Sequence, residues 1–161
     1  MTTAETDLHS GERRESDAAA DESAEFADFF AAGWALGAGG GFFEHVLPRM
    51  DPQVVLDQPL GGELRGHAGV RALFEPLFRA IPDLRGEVVR WGRTDDGVLI
   101  ELTLRGTLGG RPLEWTVVDR IVLRDGIIVA RRSYFDPLPL ALPLLRSPRV
   151  ALALLRARRG R

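Results

Sequence analysis

The chain has no cysteine and no lysine, one tyrosine and only three histidines in 161 residues. Without cysteine there are no disulfides and no thiolate metal sites, and a reducing, cytoplasmic setting is the expectation. His9, His45 and His67 are scattered without metal-ligand spacing, so no metal is expected. The basic residues are all arginine, which a GC-rich coding bias explains without a functional argument. Basic and acidic residues nearly cancel, for a net charge of −2. A nucleic-acid partner would want a basic face and is not expected. No apolar run has the length and purity of a membrane span, and no apolar stretch follows a basic start as in a secretory signal. There is no G-x-S-x-G, P-loop or dinucleotide fingerprint. Gly37-Ala-Gly39 is not preceded by a strand, and no cofactor is expected.

The length fits one folded domain with enough chain to bury a core. Residues 1–22 are polar and acidic, with Leu8 as their one large apolar residue. Such a segment buries too little to offset its ordering entropy and is expected to be a disordered tail. The domain proper is expected over 23–140. Phe26, Phe29, Phe30, Gly33, Trp34 and Gly37 share one helical face, with Ser23 as N-cap. Gly39-Gly40-Gly41 breaks that helix, and Phe42 to Leu47 reads as a short second helix closed by Pro48. Gln53 to Gln58 reads as a strand and Pro59 to Gly62 as a turn. Val70, Leu73, Phe74, Leu77, Phe78 and Ile81 define a third helix, kinked by Pro76. Residues 141–161 mix leucine with proline and then arginine, and no acid. They read as an Arg-rich tail with a short helix from about Pro148. Packing on the domain is favoured there over contact with an anionic membrane surface.

Three hairpin signals divide the remaining core into four strands: Asp96-Gly97, Gly109-Gly110 and Asp125-Gly126. Tight turns fix a register. Arg93 faces Ile100, and Trp91 faces Leu102. Leu102 faces Val117, and Ile100 faces Asp119. Val117 faces Tyr134, and Asp119 faces Arg132. One face then collects Val89, Trp91, Ile100, Leu102, Leu104, Trp115, Val117, Ile121 and Ile128. The other pairs Arg105 with Glu114 and Thr103 with Thr116. A one-residue slip would exchange the faces, and a bulge could shift one strand.

Asp119 is the acid on the apolar face. A buried charge is costly unless paired, so two readings stand. In one, Asp119 and Arg132 form a structural ion pair that fixes the register. In the other, the carboxylate moves a proton on a bound ligand, a contribution of ~10²–10⁴-fold. Tyr134, beside Arg132, would donate to a developing oxyanion or simply pack. Trp34, Trp91, Trp115, Phe30, Leu102 and Val117 are the candidate pocket wall, with His45 at its open end. His67, at the start of the third helix, and Asp57, on the short strand, are weaker candidates.

Four stretches carry a family resemblance. They are Gly66-His-Ala-Gly-Val-Arg-Ala-Leu-Phe74, Ile81-Pro-Asp-Leu84, Asp119-Arg-Ile-Val-Leu-Arg-Asp-Gly-Ile127 and Arg132-Ser-Tyr-Phe-Asp136. With the helix order and the strand meander, they make residues 24–140 resemble the nuclear transport factor 2-like superfamily in its SnoaL-like branch. The resemblance implies an α+β cone: a strongly curved, mostly antiparallel sheet forming a barrel-like wall around a pocket, with three helices packed on it. It also implies a homodimer through the outer sheet face. Members include polyketide cyclases, ketosteroid isomerases, limonene epoxide hydrolases and non-catalytic binding domains, so fold does not give function. The epoxide hydrolase pattern wants an acid where Ser133 stands, and an Arg-x-Asp pair where Ile100-Glu-Leu-Thr-Leu104 stands. The expectation is therefore a pocket for a small hydrophobic ligand. A cofactor-free cyclase or isomerase would use Asp119, Arg132 and Tyr134; the alternative is a binding or dimerisation domain of the same fold.

Overall fold

The structure is a computed structural model describing residues 3–59, 61–138 and 140, with side chains from residue 20 onward. Helix α1 spans Thr3–Leu36, α2 Phe42–Val46 and α3 Gly66–Ala80. The strands are β1 Met50–Gln58, β2 Gly62–Arg65, β3 Arg85–Thr94, β4 Gly97–Leu108, β5 Arg111–Arg124 and β6 Ile127–Tyr134. Short 3-10 turns at Gly37–Gly39 and Leu47–Arg49 flank α2.

Helix α1 differs from expectation at its start. It does not begin at Ser23 but runs unbroken from Thr3, through the segment expected to be a disordered tail. Alanine has the highest helix propensity and glutamate is among the better formers. Acids near a helix N-terminus also suit its dipole, so local preference, without burial, favours helix there. From Ser23 on, the helix is amphipathic: Ser23, Phe26, Ala27, Phe30 and Trp34 are buried. In α3, Val70 and Phe74 are buried, and Leu73, Leu77 and Phe78 pack against the core. Its outer face carries Arg71–Glu75 and Arg79–Glu75 pairs at 3.6 and 3.8 Å, each worth a few tenths of a kcal/mol. The Arg-rich segment expected over 141–161 lies outside the described residues.

The six strands form one open sheet in the order β2-β1-β6-β5-β4-β3. Pairing is antiparallel except between β1 and β6, which are parallel. Strand β2 occupies residues that continue directly from the expected turn, pairing Leu56 with Leu64. The β4–β5 register is as expected: Ile100 faces Asp119, Leu102 faces Val117, Thr103 faces Thr116 and Arg105 faces Glu114. Two bulges alter the rest. One between Val88 and Arg90 moves Trp91 to Ile100 and Arg93 to Val98, leaving Val89 half exposed and Val88 packed inward. The other, between Val122 and Leu123, sets Asp119 opposite Ser133 and Val118 opposite Tyr134.

The helices cover the inner face of the sheet. There Val54, Leu56, Val98, Ile100, Leu102, Ile121 and Ile128 meet Phe26, Phe30, Trp34, Val70 and Phe74 in one core. Among the described residues, no helix is long and apolar enough to cross a membrane.

Candidate functional site

The β6 bulge decides the chemistry around Asp119. With one extra residue in β6, Arg131 and Ser133 turn inward, while Arg132 and Tyr134 turn out. Asp119 is fully buried, and Arg131 and Ser133 are 7% and 5% exposed. Arg131 Nε donates to Asp119 Oδ2 at 2.8 Å, and Nη2 completes the ion pair 2.7 Å from the same oxygen. Ser133 Oγ donates to Oδ1 at 2.6 Å. The expected Asp119–Arg132 pair is therefore corrected to Asp119–Arg131. Taking two ions out of water costs several kcal/mol each, and only good geometry with further hydrogen bonds offsets this. Two charge-assisted hydrogen bonds and the close Nη2 contact supply that here. The guanidinium also lies over Phe74, 5.3 Å from the ring centroid.

Arg131 links this cluster to a cavity between the helices and the sheet. The cavity measures about 20 Å³ and is lined by Phe29, Phe30, Trp34, Phe42, Val46, Met50, Phe74, Ile128 and Arg131. Arg131 is the one charged side chain in that lining. The space is that of a water molecule, which needs about 10–15 Å³, and far below the ~300–1,000 Å³ of ligand sites.

Of the expected pocket wall, Phe30 and Trp34 border the cavity. Trp115, Leu102 and Val117 are buried elsewhere in the core, and Trp91, on the sheet's edge strand, is 40% exposed. His45 does not reach the cavity: its ring stacks on Phe29 at 4.4 Å and Nε2 donates to the Phe29 carbonyl at 2.8 Å. His67 likewise donates to the Met50 carbonyl at 3.0 Å. Both histidines tie backbone segments together. Among the described residues no group of three or more His, Asp or Glu could hold a metal ion.

Arg132 and Tyr134 are not beside Asp119. They lie on the outer sheet face with Asp57, around a polar groove of about 360 Å³ that also takes in Arg120 and Glu63. Arg132 Nε donates to Asp57 Oδ2 at 2.9 Å. The adjacent Tyr134 side chain, and then Asp57, hold the Arg132 guanidinium above its ordinary pKa. Sequence reasoning placed Arg132 where Arg131 stands because the two are adjacent and only the phase of β6 separates them. Ser133, read there only as a missing acid, is a partner of Asp119.

The SnoaL-like domain family matches residues 24–131. The chain belongs to the SnoaL-like family. This SnoaL-like chain superposes on a candidate SnoaL-like polyketide cyclase of Jannaschia sp. CCS1 with a TM-score of 0.66 at 21% identity, over 75% of this chain and 90% of that one. TerC, crystallised with polyporic acid, gives 0.62 at 22% identity over 72% and 95% of the two chains. IdmH, a candidate polyketide cyclase of Streptomyces antibioticus, gives 0.62 at 24% identity over 74% and 97%. At these identities the likeness shows the fold: three helices on a six-stranded mixed sheet of the nuclear transport factor 2-like kind. No curated protein matches the sequence.

Proposed function

We propose that this SnoaL-like protein takes a small hydrophobic, oxygen-bearing compound between its helices and its sheet. It acts there as a cofactor-free enzyme of the cyclase or isomerase type. The observation that carries this is Arg131: the single cation lining an aromatic-walled cavity, paired to a buried carboxylate. Such a site recognises an apolar ring body with one carbonyl or enol oxygen. Arg131 meets that oxygen and stabilises the negative charge that builds on it as a neighbouring C–H bond breaks. As Arg131 turns to the ligand, Asp119 is released to take the proton and return it at another carbon. Candidate polyketide cyclases among the structural neighbours support this class of ligand.

A second reading has its own observation. Both Asp119 oxygens are engaged by Arg131 and Ser133, and Asp119 does not line the cavity. That favours a binding domain in which the cluster only holds Arg131 in place. Screening polyketides, steroids and terpenoids by thermal shift and native mass spectrometry separates the two. Wild type converts a bound compound that Asp119→Asn binds but leaves unchanged if the enzyme reading holds. A compound bound by both and converted by neither leaves the binding domain. We place a homodimer contact on the outer sheet face, where Leu99 and Tyr134 are exposed; light scattering giving a monomer mass would remove it.

A further inference from the structure

The cavity in its present form is too small for the ligand just described. Phe42 is the centre of the group that fills it. Its ring lies 5.4 Å from Trp34, 5.1 Å from Phe74 and 5.0 Å from Phe78. Phe42 and Val46, both cavity-lining, are the two buried residues of α2. This five-residue helix therefore supplies two of the apolar side chains that close the site.

The chain is anchored on both sides of α2, and two glycines separate the first anchor from the helix. Before it, the backbone is anchored: Ala38 N–H donates to the Leu84 carbonyl at 3.3 Å, and Arg85 Nη1 to the Leu36 carbonyl at 2.8 Å. After it, Arg49 is tied to Glu25 at 2.7 Å and to the Gly126 carbonyl at 3.2–3.3 Å. Between these anchors Gly40 and Gly41 have φ of +97° and +84°. A Cβ at Gly40 would meet nothing within 4 Å, and at Gly41 only Leu36 at 3.7 Å or more. These glycines are thus required by torsion and not by crowding, so little packs against the backbone that joins α2 to its first anchor. On α2 itself, His45 grips α1 through the Phe29 carbonyl and by stacking on the Phe29 ring.

We propose that α2 is the gate of the cavity. It turns on Gly40–Gly41 and is latched by His45, and Phe42 is the side chain whose departure makes room for an apolar ring compound. Phe42 therefore sets the size of ligand that enters. This rests on the ligand class proposed above, yet the motion can be read without any ligand.

Amide hydrogen exchange on the full-length wild-type chain is the first measurement, comparing residues 41–48 with 98–104 in the middle of the sheet. A gate that opens locally gives exchange at 41–48 at least about 100-fold faster than at 98–104. His45→Phe, which keeps an aromatic ring but loses the hydrogen bond, accelerates 41–48 by roughly 5–10-fold and leaves 98–104 unchanged. Phe42→Ala binds indole saturably in titrations monitored by NMR, at least about tenfold more tightly than wild type. Equal exchange in the two segments, an unchanged rate in His45→Phe, or no indole binding by Phe42→Ala overturns the gate. If exchange shows the gate and no compound is ever converted, proton transfer fails while the gate stands. Conversion without local opening removes the gate alone.

Discussion

Replacing Arg131 by methionine leaves a fully buried Asp119 with Ser133 as its remaining side-chain partner. The magnitude follows from the geometry. Neither ion is exposed enough for water to screen it, and the substitution deletes the guanidinium hydrogen bond and the ion-pair contact to Oδ2. Breaking a buried pair from one side costs about 3–5 kcal/mol, because the surviving charge is left uncompensated. At roughly 2–4 °C per kcal/mol, Arg131→Met should melt about 6–20 °C below wild type at neutral pH. Adding Asp119→Leu removes the stranded charge, so the double variant should recover most of that loss. Urea unfolding of wild type, both single variants and the double variant gives the coupling energy directly. Single-variant losses below about 1 kcal/mol, or a double variant as unstable as the two losses added together, would refute the buried-pair argument.

Three further outcomes follow from the same geometry. Ser133→Ala strands Asp119 Oδ1 and should cost about 1.5–3 kcal/mol in urea unfolding, as expected for a hydrogen bond to a charged group. Asp96 is held below the ordinary carboxylate pKa, first by its hydrogen bond from Arg120. Asp83 is held down by its hydrogen bonds from Thr107. A depressed folded-state value means stability that is present above about pH 4 and lost as pH falls through the folded value. Asp96→Asn should therefore flatten the acid limb of the stability curve below about pH 4, with little change in its slope at pH 6–8. Tyr134→Phe alters a half-exposed residue on the outer face. It should shift stability by no more than about 0.5 kcal/mol and leave turnover of any converted compound unchanged, as a plate assay would show.

The parts of the fold that could be read from residues are those where one pattern excluded the others. Leu102, Leu104, Trp115 and Val117 alternate cleanly with polar residues, so β4 and β5 admit one register, the observed one. The run Ile127-Ile-Val-Ala130 is apolar at every position, so either phase of β6 satisfies it, and the bulge that selects Arg131 over Arg132 leaves no mark in the alternation. The same is true of Val88-Val89 on β3. Asp119 stood out because an acid on an apolar face needs a partner. Which partner depended on a backbone irregularity sequence patterns do not encode. The cavity wall was half legible: Phe30 and Trp34 share a helical face with the buried stripe, whereas Phe42 and Phe74 reach the same place from separate helices.

The parallel seam between β1 and β6 sets an order of assembly. Met50 pairs with Ile128, and Val55 with Ala130, so the sheet can be completed only after the last strand has left the ribosome. Strands β3 to β6 join by short turns and can zip as each emerges, and the Asp119–Arg131 pair closes within the final hairpin. Strands β1 and β2 can pair with each other as they emerge, but joining them to β6 needs the longest loop closure in the sheet, whose entropy must be overcome before that seam rewards it. During synthesis the β1–β2 hairpin is thus the part of the sheet left longest without its neighbour β6. Slow docking of the first strand, more than weakness of the finished core, is where misfolding of this chain would begin.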